Sequence, residues 1–153
     1  MNGQTFLLEV AKALSGCQAI ELELKAYISH AFRNIRNTVA QKYAFKFKGE
    51  DCENYSLERL IKVFRKLSDN PGLIARLNRF KDKRNFLAHK AIAQCMDDEG
   101  VLGEQQMAEA CADISAVQED AETLLSEIFK EHRKLFVIYT DVPCPPPEPG
   151  EDE

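Results

Sequence analysis

Apolar residues recur every three or four positions along most of this chain, which is the spacing of one face of an α-helix. The clearest run covers residues 4 to about 40, and its apolar members are Phe6, Leu7, Val10, Ala13, Leu14, Cys17, Ile20, Leu24, Tyr27, Ile28, Ala31, Phe32 and Ile35. A continuous helix of that length would be about 50 Å long, more than a compact domain of this size spans. The pattern therefore predicts either a kink near Gly16 or a helix that projects and packs against a second subunit.

Three further helices are predicted after a connector at residues 41–55. The connector contains YAFKFKG, which alternates enough for a short strand but has no second strand to pair with. Ser56 is a suitable N-cap for the next helix, and Asn70 and Pro71 fit the start of the one after it. An acidic loop at 97–100 precedes the last helix. The predicted helices are 57–68, 71–95 and 104–138.

These elements predict an all-α fold, a single four- to five-helix antiparallel bundle over residues 1–140. The last segment, 141–153, is rich in proline and acidic residues, so it is predicted to be a disordered tail. The inward-facing set of the last helix is predicted to be Met107, Ala110, Cys111, Ile114, Val117, Ala121, Leu124, Leu125, Ile128, Phe129, Leu135 and Phe136.

The composition favours an ordinary intracellular globular protein. Its 153 residues suit one domain with a single core. No apolar run approaches the roughly 20 residues that span a bilayer, and the amino terminus reads as a helix and not as a signal peptide. The five cysteines are scattered without C-x-x-C spacing, which indicates reduced thiols and a cytoplasmic location. We therefore expect no metal site, no cofactor and no membrane partner.

The net charge of -5 conceals a strong asymmetry along the chain. Residues 42–90 carry thirteen basic and six acidic side chains, whereas residues 91–153 carry three basic and sixteen acidic ones. A local basic surface attracts phosphate backbones even when the whole chain is acidic. Lysines and arginines also decorate the solvated helix faces of most proteins, so the asymmetry alone does not decide between the two interpretations.

Arg84 interrupts the apolar face of the third predicted helix. That face is otherwise formed by Leu73, Leu77, Phe80, Leu87, Ala91 and Cys95. Because arginine does not lose its charge, Arg84 needs an anionic partner there, either a carboxylate from another helix or a phosphate of a ligand. Asn85 and His89 are i, i+4 neighbours on an adjacent face. Arg84 and His89 are roughly 140° apart around the helix, so Arg84 has to reach round it to share a site.

The hexapeptide RNFLAH, from Arg84 to His89, resembles the R-x4-H motif of HEPN domains. These are small all-helical proteins, many of them metal-independent ribonucleases, and their helical layout matches residues 4–138. The resemblance implies that the catalytic residues are Arg84, Asn85 and His89. The basic residues around the motif that would bind RNA are Arg79, Lys81, Lys83 and Lys90.

The residue types in the motif suit RNA cleavage by the substrate's own 2′-hydroxyl. Histidine exchanges protons near neutral pH, arginine stabilises a charged phosphorane, and asparagine orients an imidazole or donates to a phosphate oxygen. One chain supplies one such histidine, whereas an acid and a base together require two. The resemblance therefore implies a homodimer in which two motifs meet.

The same resemblance implies a role in toxin–antitoxin or defence systems, with an antitoxin or another regulatory protein as a candidate partner. Some HEPN toxins extend the motif to R-x4-H-x-Y, in which the tyrosine is modified by the antitoxin. Here the residue after Lys90 is Ala91, so regulation by that route is not expected.

Two other functions are compatible with the same sequence. One is a non-catalytic helical module that binds RNA or a nucleotide in the same cleft. The other is a protein-interaction module in which Arg84 pairs with Glu21 or Glu23 as a structural tie. The two glutamates are more readily interpreted as part of a charged helix face. His30 is interpreted as structural or exposed, and His132 as a residue of a solvated face.

Overall fold

A computed structural model of the chain describes residues 2–39, 44–97 and 100–140, with side chains as far as Phe136. Within these ranges there are four α-helices, two 3₁₀ turns and no β-strand. The helices are α1, Gly3–Val39; α2, Leu57–Leu67; α3, Pro71–His89; and α4, Glu104–Thr140, and the 3₁₀ turns are Gly49–Cys52 and Ala93–Cys95. The predicted all-α bundle is confirmed. The predicted tail, 141–153, lies outside the described residues.

The two longest helices, α1 and α4, pack side by side and have 37 residues each. Gln118 Nε2 on α4 donates to the backbone oxygen of Glu9 on α1 at 3.4 Å, and nearer the carboxyl ends of both helices Asn34 Nδ2 donates to the backbone oxygen of Leu135 at 3.1 Å. Because the residue numbers rise together, α1 and α4 run in the same direction, an exception to the antiparallel arrangement. Each long helix covers the other, so the length of α1 requires no second subunit.

Gly16 does not break α1, which continues through it to Val39. A Cβ atom added at Gly16 would lie only 3.1 Å from the Cβ of Ala121 on α4. The missing side chain therefore lets the two long helices approach closely. The kink considered from the sequence is not needed, because the packing against α4 compensates for the low helix propensity of glycine.

The starts of α2 and α3 follow the predicted caps. The Ser56 hydroxyl accepts a hydrogen bond from the Arg59 backbone N–H at 3.4 Å, and Asn70 Oδ1 accepts one from the Leu73 N–H at 3.1 Å. Pro71 occupies the first turn of α3, where its missing N–H would have no helical partner. These caps fix the α2–α3 turn, so the two helices are antiparallel neighbours.

A buried carboxylate holds this turn against α4. Glu131 is only 7% exposed, and it accepts hydrogen bonds from Ser68 Oγ and Asn70 Nδ2, both at 3.2 Å. Lys134 Nζ lies 2.7 Å from its second oxygen. Burial by itself would raise the pKa of Glu131, but the hydrogen bonds from Lys134, Asn70 and Ser68 outweigh it and lower that pKa.

The motif helix ends at His89, earlier than the predicted 95. The N–H groups of Lys90 and Ala91 both donate to the Phe86 carbonyl, and a 3₁₀ turn then follows at Ala93–Cys95. The apolar pattern misled the prediction because Ala91 and Cys95 are still buried after the α-helix has ended.

The chain then reverses through the acidic loop. Met96 and Leu102 form an isolated antiparallel bridge, and Gly100 adopts φ +79°, which glycine tolerates best. A short strand was considered for YAFKFKG, but its described residues, 44–48, have no strand structure.

One continuous core lies between the four helices. Its largest fully buried side chains are Phe6, Phe64, Phe80, Ile20, Leu24, Ile28, Leu60, Leu73, Leu77, Ile114 and Ile128. The predicted inward positions of Phe129 and Phe136 are wrong, since these rings are 48% and 56% exposed. They lie beside the buried stripe of α4, and the Phe136 ring still contacts the His30 ring on α1, with 4.3 Å between centroids. No helix among the described residues is long and apolar enough to cross a membrane.

Candidate functional site

Arg84 lies where α3 crosses α1, at the edge of the core. Its Nη2 is 3.0 Å from Glu21 Oε1, and the side chains of Arg84 and Glu21 are 30% and 19% exposed. Glu21 Oε1 is buried and lies within ion-pair distance of Arg84 Nη2, but the contact does not have the geometry of a hydrogen bond. Of the two acidic partners considered from the sequence, Glu21 is the one that pairs with Arg84.

Cys17 packs one turn before Glu21 on the same face of α1. Burial raises the pKa of the Cys17 thiol to about 11, with the positive charge of Arg84 acting in the opposite direction. The thiol therefore stays neutral near pH 7 and offers no negative charge. Glu21 is left as the counter-charge that allows an arginine at this half-buried position.

The other two motif residues point away from the core. Asn85 is exposed, and its Oδ1 lies 3.5 Å from Arg84 Nη1. His89 is exposed at the carboxyl end of α3, about 6 Å along the helix from Asn85. Among the described residues, His89 has no hydrogen-bond or ion-pair partner. The fold thus joins Arg84 to Asn85 and leaves the imidazole free to meet a ligand or another subunit.

The four predicted RNA-binding side chains do not form one surface. Arg79 and Lys90 are exposed, whereas Lys83 reaches across to Asp120 on α4, with 2.5 Å between Nζ and Oδ2. Lys81 lies beside Glu58 and Lys62 on the α2 side of α3 and is 24% exposed. Because Lys81 and Lys83 are roughly 200° apart around the helix, they serve different surfaces.

The charge asymmetry of the sequence is partly neutralised inside the monomer. Arg76 on α3 pairs with Glu127 on α4. About two helical turns further along α3, Lys83 pairs with Asp120 on α4. The basic α3 therefore lies against the acidic α4. These pairs reduce the positive charge available to a phosphate backbone on that side.

A second polar cluster between α1 and α4 was missed by the sequence reasoning. His132 Nδ1 lies 2.5 Å from Glu23 Oε1, and its Nε2 lies 3.2 Å from His30 Nδ1. The side chains of His132 and Glu23 are only 13% and 12% exposed. The interpretation of His132 as a solvated face residue is therefore wrong, because α1 covers it. The only available sequence signal was that Glu23 and His30 are seven residues apart, two turns of one helix.

Hydrogen bonding within this cluster limits how many protons it holds. If His132 carries two protons, both of its N–H groups donate, and His30 Nδ1 must accept. Burial lowers the pKa of His30, and the nearby positive charges of His132 and Arg33 lower it further. The contact between the two rings therefore disfavours a proton on both of the facing nitrogens, His30 Nδ1 and His132 Nε2.

The described residues contain no group of three histidine, cysteine, aspartate or glutamate side chains that could hold a metal ion. Comparisons with protein-family models, with curated proteins and with solved structures found no match. Evidence about function therefore comes from the geometry of the chain itself.

Proposed function

We propose that this protein is a HEPN-like, metal-independent endoribonuclease that acts on single-stranded RNA through a site composed of two subunits. The observation that carries the proposal is the arrangement of the motif on α3. Glu21 holds Arg84 at the protein surface, Asn85 bonds to that guanidinium, and His89 is exposed one turn beyond.

In the proposed reaction the substrate supplies its own nucleophile. A neutral His89 takes the proton of the RNA 2′-hydroxyl, and the 2′-oxygen forms a bond to the adjacent phosphorus. The bond from phosphorus to the 5′-oxygen breaks, and a protonated His89 of the second subunit gives that oxygen its proton. Arg84 stabilises the negative charge that builds up on the phosphoryl oxygens. The products are a 2′,3′-cyclic phosphate and a free 5′-hydroxyl.

Exposed apolar side chains beside the site support a dimer. Leu22 follows Glu21 directly on α1 and is 65% exposed, and Leu8 on the same helix is 53% exposed. A two-fold contact through this surface of α1 would bury both leucines of each subunit.

The second candidate function is a helical interaction module without catalysis. The Arg84–Glu21 pair favours it, because an arginine already neutralised by a carboxylate has less charge for a phosphate. A third possibility is a non-catalytic module that binds RNA or a nucleotide in the same cleft. It shares RNA binding with the ribonuclease and the lack of catalysis with the interaction module. These alternatives differ in whether RNA is bound and whether it is turned over.

The test is cleavage of a mixed-sequence single-stranded RNA in EDTA by wild type and by His89→Ala. Both proteins are first shown to elute as the same oligomer. His30→Gln is the matched control, since it removes a histidine outside the motif. Cleavage to cyclic-phosphate ends by wild type and His30→Gln, but not by His89→Ala, is the expected result. Equal cleavage by all three, or by none, would overturn the proposed activity.

A further inference from the structure

A separate surface at the far end of α1 combines exposed aromatic rings with basic side chains. The rings of Phe32, Phe45 and Phe47 form a triangle, with centroids 5.6–5.9 Å apart. Phe47 is 62% exposed even though its ring contacts those of Phe32 and Phe45. Lys46 and Lys48 are exposed and flank Phe47 in the sequence, and the exposed Lys66 lines the same cavity as the rings. We refer to these six residues as the aromatic–basic patch.

The patch opens into a cavity of about 280 Å³ between α1, the 45–52 segment and α2. Its wall is mainly apolar and includes Phe32, Phe45, Phe47 and Tyr55, with Asp51 and Lys66 as charged members. Pockets for drug-sized ligands are about 300–1,000 Å³. This cavity therefore has room for one flat aromatic group of the size of a single nucleobase.

The segment that carries two of the rings is held firmly against α1. Arg36 Nη2 donates to the Phe47 carbonyl at 3.1 Å, and Asp51 Oδ2 accepts from the Lys48 N–H at 2.9 Å. At Gly49, an added Cβ atom would lie 2.1 Å from Ser29 Oγ, so only glycine permits this approach. The rings are therefore positioned before any ligand arrives, which lowers the entropic cost of binding.

The lysines of the patch are available for an anion. Within the part of the chain that the structure describes, no carboxylate lies within ion-pair distance of Lys46, Lys48 or Lys66. On α3, by contrast, Lys83 is paired with Asp120 and Arg84 with Glu21. The patch lysines therefore keep their positive charge, as do the exposed Arg79 and Lys90 near the R-x4-H motif, which also have no ion-pair partner among the described residues.

We propose that the aromatic–basic patch is a subsite for one unpaired base of single-stranded RNA. The base enters the cavity and stacks on Phe47, and the adjoining phosphates contact Lys46, Lys48 and Lys66. Proteins commonly bind single-stranded nucleic acids through aromatic rings that lie within a positively charged surface, because every base has a face that can stack on a ring. The inference deepens the proposed function and rests on its choice of RNA as substrate.

The position of the patch fits a substrate that extends to the motif. Phe32 and Glu21 are eleven residues apart on the continuous α1, which corresponds to about 16 Å along the helix axis. A few nucleotides of single strand cover that distance. The patch would anchor the strand while the scissile phosphate lies at Arg84 and His89.

Asp51 gives the subsite a base preference. Its Oδ2 is engaged by the Lys48 N–H, which leaves Oδ1 able to accept a hydrogen bond. The exocyclic amino groups of cytosine, adenine and guanine donate such a bond, whereas uracil offers only its single ring N3–H. The subsite is therefore expected to prefer a base with an amino group, such as cytosine, to uracil.

The test measures binding of fluorescently labelled single-stranded oligocytidine and oligouridine in the His89→Ala background, which removes the proposed cleavage. Phe47→Ala is expected to weaken oligocytidine binding roughly 5- to 150-fold, the loss expected for one base–aromatic stack. Phe47→Tyr should bind like the parent, whereas Phe47→Leu, which keeps an apolar side chain without a ring, should bind like Phe47→Ala. Phe129→Ala, which removes a similarly exposed ring on α4, is the matched control.

Unchanged affinity in Phe47→Ala, or full rescue by Phe47→Leu, would overturn the subsite. Equal affinity for the two oligonucleotides would overturn the role of Asp51 alone. Because binding is measured without turnover, the two proposals fail separately. RNA that binds through Phe47 but is never cleaved by wild type would retain the subsite and remove the ribonuclease activity.

Discussion

Arg84 on α3 and Glu21 on α1 are joined by an ion pair of 3.0 Å between Nη2 and Oε1. Arg84 is the one charged member of a stripe whose other six side chains are all buried. The pair explains how the stripe tolerates a guanidinium, since the carboxylate compensates the charge where water is partly excluded. It also fixes the direction in which Arg84 leaves the helix, and hence where a phosphate could meet it.

The first prediction concerns the strength of this pair. In a double-mutant cycle with Arg84→Gln and Glu21→Gln, we expect a coupling energy of about 1 kcal/mol, because the pair is partly shielded from water. Urea unfolding of the four proteins measures it. The exposed Lys62–Glu58 pair on α2 is the control, and its coupling is expected to be smaller because water and salt screen both charges. A coupling at Arg84 no larger than that of the control would mean that the two helices are not tied there.

The second prediction concerns His30 and pH. Because its pKa is lowered in the folded protein, the unfolded chain binds a proton more readily as the pH falls through the ordinary value near 6.5. Stability therefore decreases on acidification, and His30→Gln removes this contribution. Between about pH 7 and 5, the free energy of unfolding of wild type should fall more steeply than that of the variant. The exposed His89→Gln serves as the control, and parallel curves for wild type and His30→Gln would contradict the prediction.

The third prediction has the opposite sign and concerns Glu131. Its pKa is lowered in the folded state, so its contribution is present above the ordinary value of 4.5 and is lost as the pH falls through the folded value. Glu131→Gln should lower stability by about 1.5–3 kcal/mol at neutral pH, the range for hydrogen bonds to a charged group.

The difference between wild type and Glu131→Gln should shrink as the pH falls below the ordinary value of 4.5 and through the lower pKa of the folded state. Chemical denaturation at several pH values measures it. Glu122→Gln, an exposed carboxylate on the same helix, makes the same charge change and should have little effect. A constant difference at all pH values would show that the charge of Glu131 is not what holds the α2–α3 turn.

The fourth prediction compares two helical glycines. An added Cβ at Gly72 would have its nearest neighbour at 3.7 Å, an ordinary contact, whereas at Gly16 the neighbour is the Cβ of Ala121 at 3.1 Å. Gly72→Ala should therefore raise stability by about 0.4–1 kcal/mol through the lower entropy of the unfolded chain.

At Gly16 the larger substitution Gly16→Val should lower stability by about 1–3 kcal/mol, because the Ala121 Cβ that it meets cannot move without shifting the backbone of α4. Thermal and urea unfolding of both variants provide the comparison. A Gly16→Val protein as stable as wild type would mean that α1 and α4 do not approach as closely as the structure has them.

Much of the fold was predictable because helix formation depends on local spacing. The stripe on α3 identified its buried residues and the exceptional place of Arg84, and the caps at Ser56 and Asn70 identified two helix starts. The end of α3 was predicted six residues too late, because buried side chains continue through a 3₁₀ turn that has the same apolar pattern. The spacing shows that a face is buried, but it does not show which hydrogen-bond pattern the backbone adopts.

By itself, the sequence determined the helices, the core and the grouping of Arg84, Asn85 and His89 on one element, since each depends on residues within a few turns. Only the tertiary structure decided that Arg84 pairs with Glu21 and that His30 meets His132, 102 residues later in the chain. These contacts depend on how one helix is rotated and shifted against another. That arrangement is set by the packing of the whole core, and no local spacing encodes it.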